Sequence, residues 1–344
     1  MTRRKKKRRP RERDWDAKHE DAFTHDLAKH RRADRWDLAP GQTAPIPPEA
    51  LEPNAVVIAH SRRWAFVRLG DNEHLCAIDE ALQPNRASLL APGDQVHVNL
   101  EHEPPIVRGL ARRRSKLSRL AHAQSRLVEQ VIAANVDVLV VVASATRPRF
   151  KPGVVDRFLI SAAVGGVDPL LVVNKMDLVQ AEPDAIGWYR DIELTVINTS
   201  CVTHQGIDAL RAALLGKQAV MAGQSGVGKS SLLNAIDPAL QVLTQEVSAS
   251  TDKGRHTTAA SHLYLLEGDI RVIDTPGLRQ LGLWGVSPEE LAFYFPEFDE
   301  LAPGCRFRNC THVHEPECAV RAAVEAGEIP KRRYQSYRRI RDSL

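Results

Sequence analysis

Three short motifs stand in an order that restricts the fold more than any other feature of this 344-residue chain. Asn174-Lys175-Met176-Asp177 comes first. The glycine-rich run Gly223-Gln224-Ser225-Gly226-Val227-Gly228-Lys229-Ser230 follows, and Asp274-Thr275-Pro276-Gly277 comes last. The middle motif has the spacing G-x-x-x-x-G-K-S. An apolar run, Ala219-Val220-Met221-Ala222, precedes it, and a helical stretch, Ser231-Leu232-Leu233-Asn234-Ala235-Ile236, comes after. A strand, a glycine-rich turn and a helix in that order make a phosphate site. The glycines let the backbone wrap an anion so that its N–H groups converge, and the helix N-terminus adds its dipole. Lys229 is expected at the β- and γ-phosphates and Ser230 on Mg²⁺. The competing reading is a plain glycine-rich turn.

A phosphate loop alone does not select a base. Asn174 to Asp177 end the apolar run Pro169-Leu170-Leu171-Val172-Val173, the place where ligands bind in open α/β sheets. A carboxylate at Asp177 can accept from guanine N1–H and its 2-amino group. Adenine offers neither donor there, which would leave a buried carboxylate unpaired. Asn174 is expected to brace the loops and the Lys175 stem to cover the ring, with Met176 between them. Thr199-Ser200-Cys201, after the next strand, is placed to offer backbone N–H groups to the guanine oxygen, although a plain strand-to-loop turn reads the same. The expected nucleotide set is therefore 174–177, Ser200, Cys201 and 223–231, ending in Ser231.

The third motif completes a site for GTP hydrolysis. Asp274 is expected to hold Mg²⁺ through water and the Gly277 N–H to sense the γ-phosphate. Thr258, or alternatively Thr257, would supply the second hydroxyl to the ion. The residue after Gly277 is Leu278, which cannot orient water as a glutamine does. His256, in Gly254-Arg255-His256-Thr257-Thr258, is the nearest titratable substitute, and its imidazole suits that work near neutral pH. A surface-loop histidine is the alternative. Lys229, Gly277 and His256 are thus the expected catalytic groups. In an ordinary GTP hydrolase the phosphate loop precedes N-K-x-D, so this domain is circularly permuted.

Around these motifs the chain divides into four segments. Residues 1–50 carry 14 Lys/Arg and 9 Asp/Glu, a net of +5 against +4 for the whole chain. Nine basic side chains fall in the first 13 residues. Such a block repels itself and reads as a disordered arm for nucleic-acid phosphates, or as a solvated tail. It lacks the apolar segment of a secretory signal, and no apolar run reaches the roughly 18 residues needed to span a bilayer. Residues 51–120 alternate in short runs. Strands are expected at 56–58, 64–69, 74–78 and 96–100, with turns at Gly70-Asp71 and Pro92-Gly93-Asp94, the pattern of a small β-barrel; the oligonucleotide-binding barrel is the common choice, and periodicity alone does not separate it from other small barrels. Residues 121–290 alternate strand and helix, the pattern of a doubly wound α/β domain. Strands are expected at 136–142, 169–173, 194–197 and 219–222, with an edge hairpin through Glu267-Gly268-Asp269.

Residues 291–344 hold a different chemistry. Cys305, Cys310, His312 and Cys318 have the spacing C-x(4)-C-x-H-x(5)-C. Three thiolates and an imidazole fill a tetrahedral Zn²⁺ shell with no open position, so the site is structural. His314 competes for the imidazole place. Unligated cysteines are the alternative, and Cys76 and Cys201 read as packing thiols. Five cysteines used this way fit a reduced, cytoplasmic compartment. A basic helix follows from Lys331 to Arg341, with Tyr334 and Tyr337 interleaved. Two readings stay open for it: RNA contact with stacking tyrosines, or an amphipathic helix whose tyrosines pack on the domain.

Together these residues resemble the ribosome small-subunit-dependent GTPases, a circularly permuted family. The resemblance covers about residue 55 to the C-terminus. It rests on the motif order, Ile132-Ala133-Ala134-Asn135-Val136-Asp137, Gly-Arg-His-Thr-Thr at 254–258, Asp-Thr-Pro-Gly-Leu at 274–278 and the segment Cys305 to Ala319. It implies an N-terminal oligonucleotide-binding barrel, a central GTPase and a C-terminal zinc module. It also implies weak intrinsic hydrolysis stimulated by the small ribosomal subunit, rRNA contact and a role in late subunit maturation. The family's loop histidine corresponds to His256, and its zinc ligands correspond to Cys305, Cys310, His312 and Cys318. Two departures stand out: Gly-Gln-Ser replaces Gly-Pro-Ser in the phosphate loop, and the threonine run after His256 is one residue short. A monomer is the simplest state. The motif order further predicts that γ-phosphate loss swings the zinc module against the barrel.

Overall fold

The computed structural model describes residues 51–82, 89–123, 126–240, 261–275 and 282–344, without the side chains of 122, 123 and 126–128. The basic arm, the His256 loop and Gly277 therefore lie outside the described residues.

Five strands close a barrel: β1 (Ala55–His60), β2 (Trp64–Leu69), β3 (Asn72–Ile78), β4 (Gln95–Asn99) and β5 (Ile106–Leu110). The order around it is β1-β2-β3-β5-β4, and β1 pairs with β4 to shut it. Val57, Val67, Cys76, Val96 and Val107 are fully enclosed in its core. Strand β5 was not expected, because Ile106-Val107-Arg108-Gly109-Leu110 alternates only weakly. The turn expectations hold: Gly70 and Gly93 both take positive φ.

A two-stranded hairpin follows, β6 (Lys116–Ala123) with β7 (Arg126–Ala134). Sequence patterning did not anticipate it. In β6 Lys116, Ser118 and Arg119 mix with Leu117 and Leu120 without strict alternation, so period two does not mark it.

The central sheet has six strands. In chain order the elements are β8 (Val138–Ser144), α1 (Pro152–Gly165), β9 (Asp168–Asn174), α2 (Ala185–Asp191), β10 (Val196–Asn198), α3 (Ile207–Leu214), β11 (Gln218–Gly223), α4 (Lys229–Ile236), β12 (His262–Leu266) and β13 (Ile270–Asp274). The sheet order is β10-β9-β8-β11-β13-β12, parallel except for the antiparallel edge strand β12. Every residue of β8 and of β11 is buried, as strands covered on both faces must be. One core packs α1 and α2 on one face, and a second packs α3 and α4 on the other.

The C-terminal module has little regular structure apart from α5 (Ala319–Ala326) and α6 (Lys331–Arg341). Phe295, Phe298, Val320 and Tyr337 form its core, together with Ile160 of α1. Tyr337 is fully enclosed and Tyr334 nearly so, while Lys331, Arg332, Gln335, Arg338 and Arg339 are exposed. The two readings of α6 are thereby separated: its tyrosines pack inward, while four of its cations face out beside Gln335. Among the described residues no helix is long and apolar enough to cross a membrane.

The family-signature stretch at 132–137 joins these bodies. Asn135, at φ 54°, donates to the Gly93 carbonyl in the barrel (2.8 Å) and accepts from the Arg114 N–H (3.0 Å). Asp137 pairs with Arg114 (2.5 Å) and accepts from the Gln218 N–H at the foot of β11 (2.8 Å). Barrel, linker and sheet thus meet on two side chains.

Candidate functional site

Parallel strands place their C-terminal ends on one edge of the sheet, and the motif residues collect there. Pairing sets Gly223 beside Val142, Asn174 beside Ser144 and Asp274 beside Met221. The sheet is indifferent to where the chain enters it, so a permuted order still assembles one site. Asp274 flanks β11 directly, and Asn174 lies two strands away on the other side.

Asn174 is 2% exposed and acts as the hub. Its Nδ2 donates to the Val227 carbonyl of the phosphate loop at 2.9 Å. Its Oδ1 accepts from the Thr199 hydroxyl at 3.2 Å, with the Cys201 Sγ at 3.8 Å. Asn174 therefore does brace two loops. Lys175 stands in the left-handed region at φ 65°. Its Nζ donates to the carbonyls of Arg147 (2.7 Å) and Gly226 (2.6 Å). Met176 begins a short 3-10 turn that carries Asp177. Asp177 Oδ1 accepts from the Ser200 hydroxyl at 2.6 Å. That same hydroxyl accepts from the N–H groups of Val202 and Thr203, both at 3.2 Å. The carboxylate is thus held in place from the neighbouring loop. The Cys201 thiol is pushed up by burial, so it stays neutral.

The phosphate loop needs its glycines. Gly228 has φ 100°, and a Cβ there would sit 2.3 Å from Asn174 Nδ2. Gly223 has φ 148°, and its Cβ would strike the Val142 carbonyl at 2.2 Å. Both positions combine positive φ with a close approach, so only glycine fits. Lys229, at the first position of α4, points its Nζ at the carbonyls of Gly223 (3.0 Å) and Gln224 (3.1 Å). Ser230 and Ser231 are half-buried in the same turn, while Ser225 and Gly226 are exposed and Val227 is buried. Asp274 ends β13, where burial pushes its carboxyl up and the Lys229 ammonium opposes that. A desolvated carboxylate with one cation nearby is suited to a second. Thr257, Thr258, His256 and Gly277, expected beside it, lie outside the described residues.

The second cluster is complete. The ligand atoms of Cys305, Cys310, His312 and Cys318 all lie within 4.8 Å of one another. His312 Nδ1 is 3.6 Å from Cys305 Sγ and 3.4 Å from Cys318 Sγ, and those sulfurs are 3.9 Å apart. Zinc bonds of about 2.3 Å to sulfur and about 2.0 Å to nitrogen give tetrahedral edges of about 3.8 Å and about 3.5 Å. These three distances match such edges, so the donor set fits Zn²⁺. His312 is buried and His314 exposed, which decides between the two imidazoles. Burial pushes the Cys310 thiol up to about 12 and the Cys318 thiol up as well, so a cation at the cluster would favour their thiolates.

Two supports of this cluster were not legible beforehand. Glu315 accepts from the Thr311 N–H (2.8 Å) and hydroxyl (2.6 Å) and from the N–H groups of Val313 (3.0 Å) and His314 (3.1 Å). Those donors outweigh its desolvation and hold the carboxyl far below the usual range. The Tyr334 and Tyr337 hydroxyls donate to the carbonyls of His312 (2.6 Å) and Thr311 (2.7 Å), which staples α6 to the ligand loop.

Comparison with known proteins agrees with this geometry. The RsgA GTPase family model matches residues 110–284. A small ribosomal subunit biogenesis GTPase of Gemmatimonas aurantiaca is 42% identical over 260 residues, 74% of this chain and 84% of that one. Its counterpart in Yersinia enterocolitica is 36% identical over 330 residues, 92% of each chain. Among solved structures, YjeQ from Thermotoga maritima superposes with a TM-score of 0.65 at 30% identity, covering 86% of this chain and 99% of that one. YloQ, described as a circularly permuted GTPase, superposes with a TM-score of 0.60 at 29% identity, covering 85% and 94%.

Proposed function

The chain belongs to the RsgA GTPase family, and on that premise we propose that it is a GTP hydrolase stimulated by the small ribosomal subunit, acting late in that subunit's maturation through GTP-switched rRNA binding. The observation that carries the nucleotide half of this reading is the Asn174 hub. It ties the base-reading loop, the Thr199–Cys201 loop and the phosphate loop into one hydrogen-bonded unit. The ribosomal half comes from the relatives' printed function.

In this reading Asp177 selects guanine and Ser200 keeps its carboxylate aimed. Backbone N–H groups of 223–231 and the Lys229 ammonium neutralise the phosphates. Ser230 and Asp274, with Thr258, would hold Mg²⁺, which would neutralise phosphate charge when bound. Gly277 senses the γ-phosphate and His256 orients water in place of the glutamine that Leu278 displaces. A structural Zn²⁺ on Cys305, Cys310, His312 and Cys318 holds 291–344 together, and the barrel at 51–120 and the exposed cations of α6 contact rRNA. The basic arm of residues 1–50 adds sequence-independent attraction. The protein works as a cytoplasmic monomer.

The deciding experiment is multiple-turnover phosphate release with isolated small subunits, large subunits or transfer RNA. Acceleration by small subunits alone is expected. Equal rates under all three conditions would discard the ribosomal half. His256→Ala should keep nucleotide affinity and lose the subunit-stimulated rate.

A further inference from the structure

Arg333 is buried to an extent that a helix on the surface of a small module does not require. Its side chain is 4% exposed, and that of Asp156, on α1 of the GTPase domain, 1%. The guanidinium pairs with Asp156, and its Nε donates to Glu297 at 2.5 Å. It also lies 4.5 Å from the ring centre of Phe295 and 5.6 Å from that of Tyr189. The Tyr189 hydroxyl, in turn, reaches Asp156 Oδ1 (2.8 Å) and the Pro152 carbonyl (3.0 Å). The two carboxylates keep the guanidinium charged against its desolvation.

The contact sits at the N-terminal end of α1, within its first five residues. A Cβ at Gly153 would lie 3.3 Å from Ser336 Oγ of α6, so the two helices touch there. Val154 and Val155 of the same stretch line a cavity with Gln224 and Val227 of the phosphate loop. Just before α1, the Arg147 carbonyl accepts from Lys175 Nζ, which also holds the Gly226 carbonyl. The N-terminal end of α1 therefore separates the zinc module from the phosphate loop and from the base-side lysine.

We propose that Arg333 is a positioning residue. It clamps α6 to the N-terminal end of α1 and so couples the zinc module energetically to nucleotide binding. Packed elements rearrange between discrete states and do not deform freely. A shift of α1 on nucleotide binding must then be met at the Arg333 pocket. Linkage is reciprocal: nucleotide changes zinc affinity by the same factor as zinc changes nucleotide affinity. The module is thus fastened through α1 to the base and phosphate side of the site. The proposal rests on the guanine-nucleotide reading and is independent of any ribosomal partner.

The test uses the full chain loaded with zinc. Zinc affinity is measured by competition with pyridylazoresorcinol, with and without saturating GDP and Mg²⁺. GDP affinity is measured with and without zinc. Both affinities should tighten by a common factor of at least about fivefold. The charge-neutral triple variant Asp156→Asn, Glu297→Gln, Arg333→Gln should still bind zinc and GDP, with the common factor reduced to about one. Arg333→Lys should retain part of the coupling. Equal zinc affinity with and without GDP in the parent protein overturns the proposal whether or not the variants fold. Undiminished coupling in the triple variant also overturns it, by removing Arg333 from the path. A parent that binds zinc but no GDP would instead sink the nucleotide reading, a separate outcome.

Discussion

A methyl group at position 228 would collide with Asn174, 2.3 Å away, at a backbone φ of 100°. The left-handed strain alone costs a side chain about 1–2 kcal/mol, and the displaced asparagine would release both loops it holds. Gly228→Ala should therefore lower GDP affinity by about tenfold or more, read by displacement of a fluorescent GDP analogue. An unchanged dissociation constant would remove Asn174 from its place as hub. At this scale the motifs that the fold gathers on one edge of the sheet were legible in the sequence. Phosphate chemistry demands contiguous glycines and a lysine, and contiguity is what a sequence displays. The Ser200–Asp177 bond was not legible, because it joins loops 23 residues apart through two side chains with many other uses.

Elements are held to one another by few polar side chains, and these make measurable predictions. Asp137 is pushed up by burial but held below the usual carboxyl range by the Arg114 guanidinium and the Gln218 N–H. A depressed folded value means its stabilisation is present above the unfolded pKa of about 3.9 and is lost as pH falls through the folded one. Asp137→Asn should accordingly lower the melting temperature most at pH 7, with the gap to the parent narrowing as pH falls below the unfolded value of about 3.9. A variant gap that does not narrow on acidification would contradict the assignment. The Arg333 pocket is more severe. Arg333→Met leaves Asp156 buried without its partner, which costs about 3–5 kcal/mol. Thermal unfolding of Arg333→Met should begin well below that of the parent, while the charge-neutral triple variant should recover most of the loss. If single and triple variants melt alike, the pair is not electrostatically significant.

At the scale of the whole chain, two segments concentrate cations. The first 13 residues carry nine, and α6 exposes Lys331, Arg332, Arg338 and Arg339. Each phosphate neutralised adds about 0.7–0.9 to the slope of log affinity against log salt. Removing residues 1–13 should flatten that slope for small-subunit binding by several units and leave intrinsic GTP hydrolysis unchanged. A slope equal to that of the full chain would show the arm to be a solvated tail.

Features carried by adjacent residues were determined by the sequence itself: the N-K-x-D and glycine-rich loops, the permuted order, the cysteine–histidine spacing, four of the five barrel strands and the parallel sheet. Such features repeat a local pattern that backbone geometry and metal or phosphate chemistry impose wherever they occur. The tertiary structure decided the rest. It chose His312 over His314 by burying one imidazole among the thiols. It turned Tyr334 and Tyr337 inward, because α6 had a core to pack against. It also brought Arg333 to Asp156 across 177 residues. No periodicity records a contact at that separation. An arginine in a basic helix looks like any other until the fold shows which one has been taken out of water.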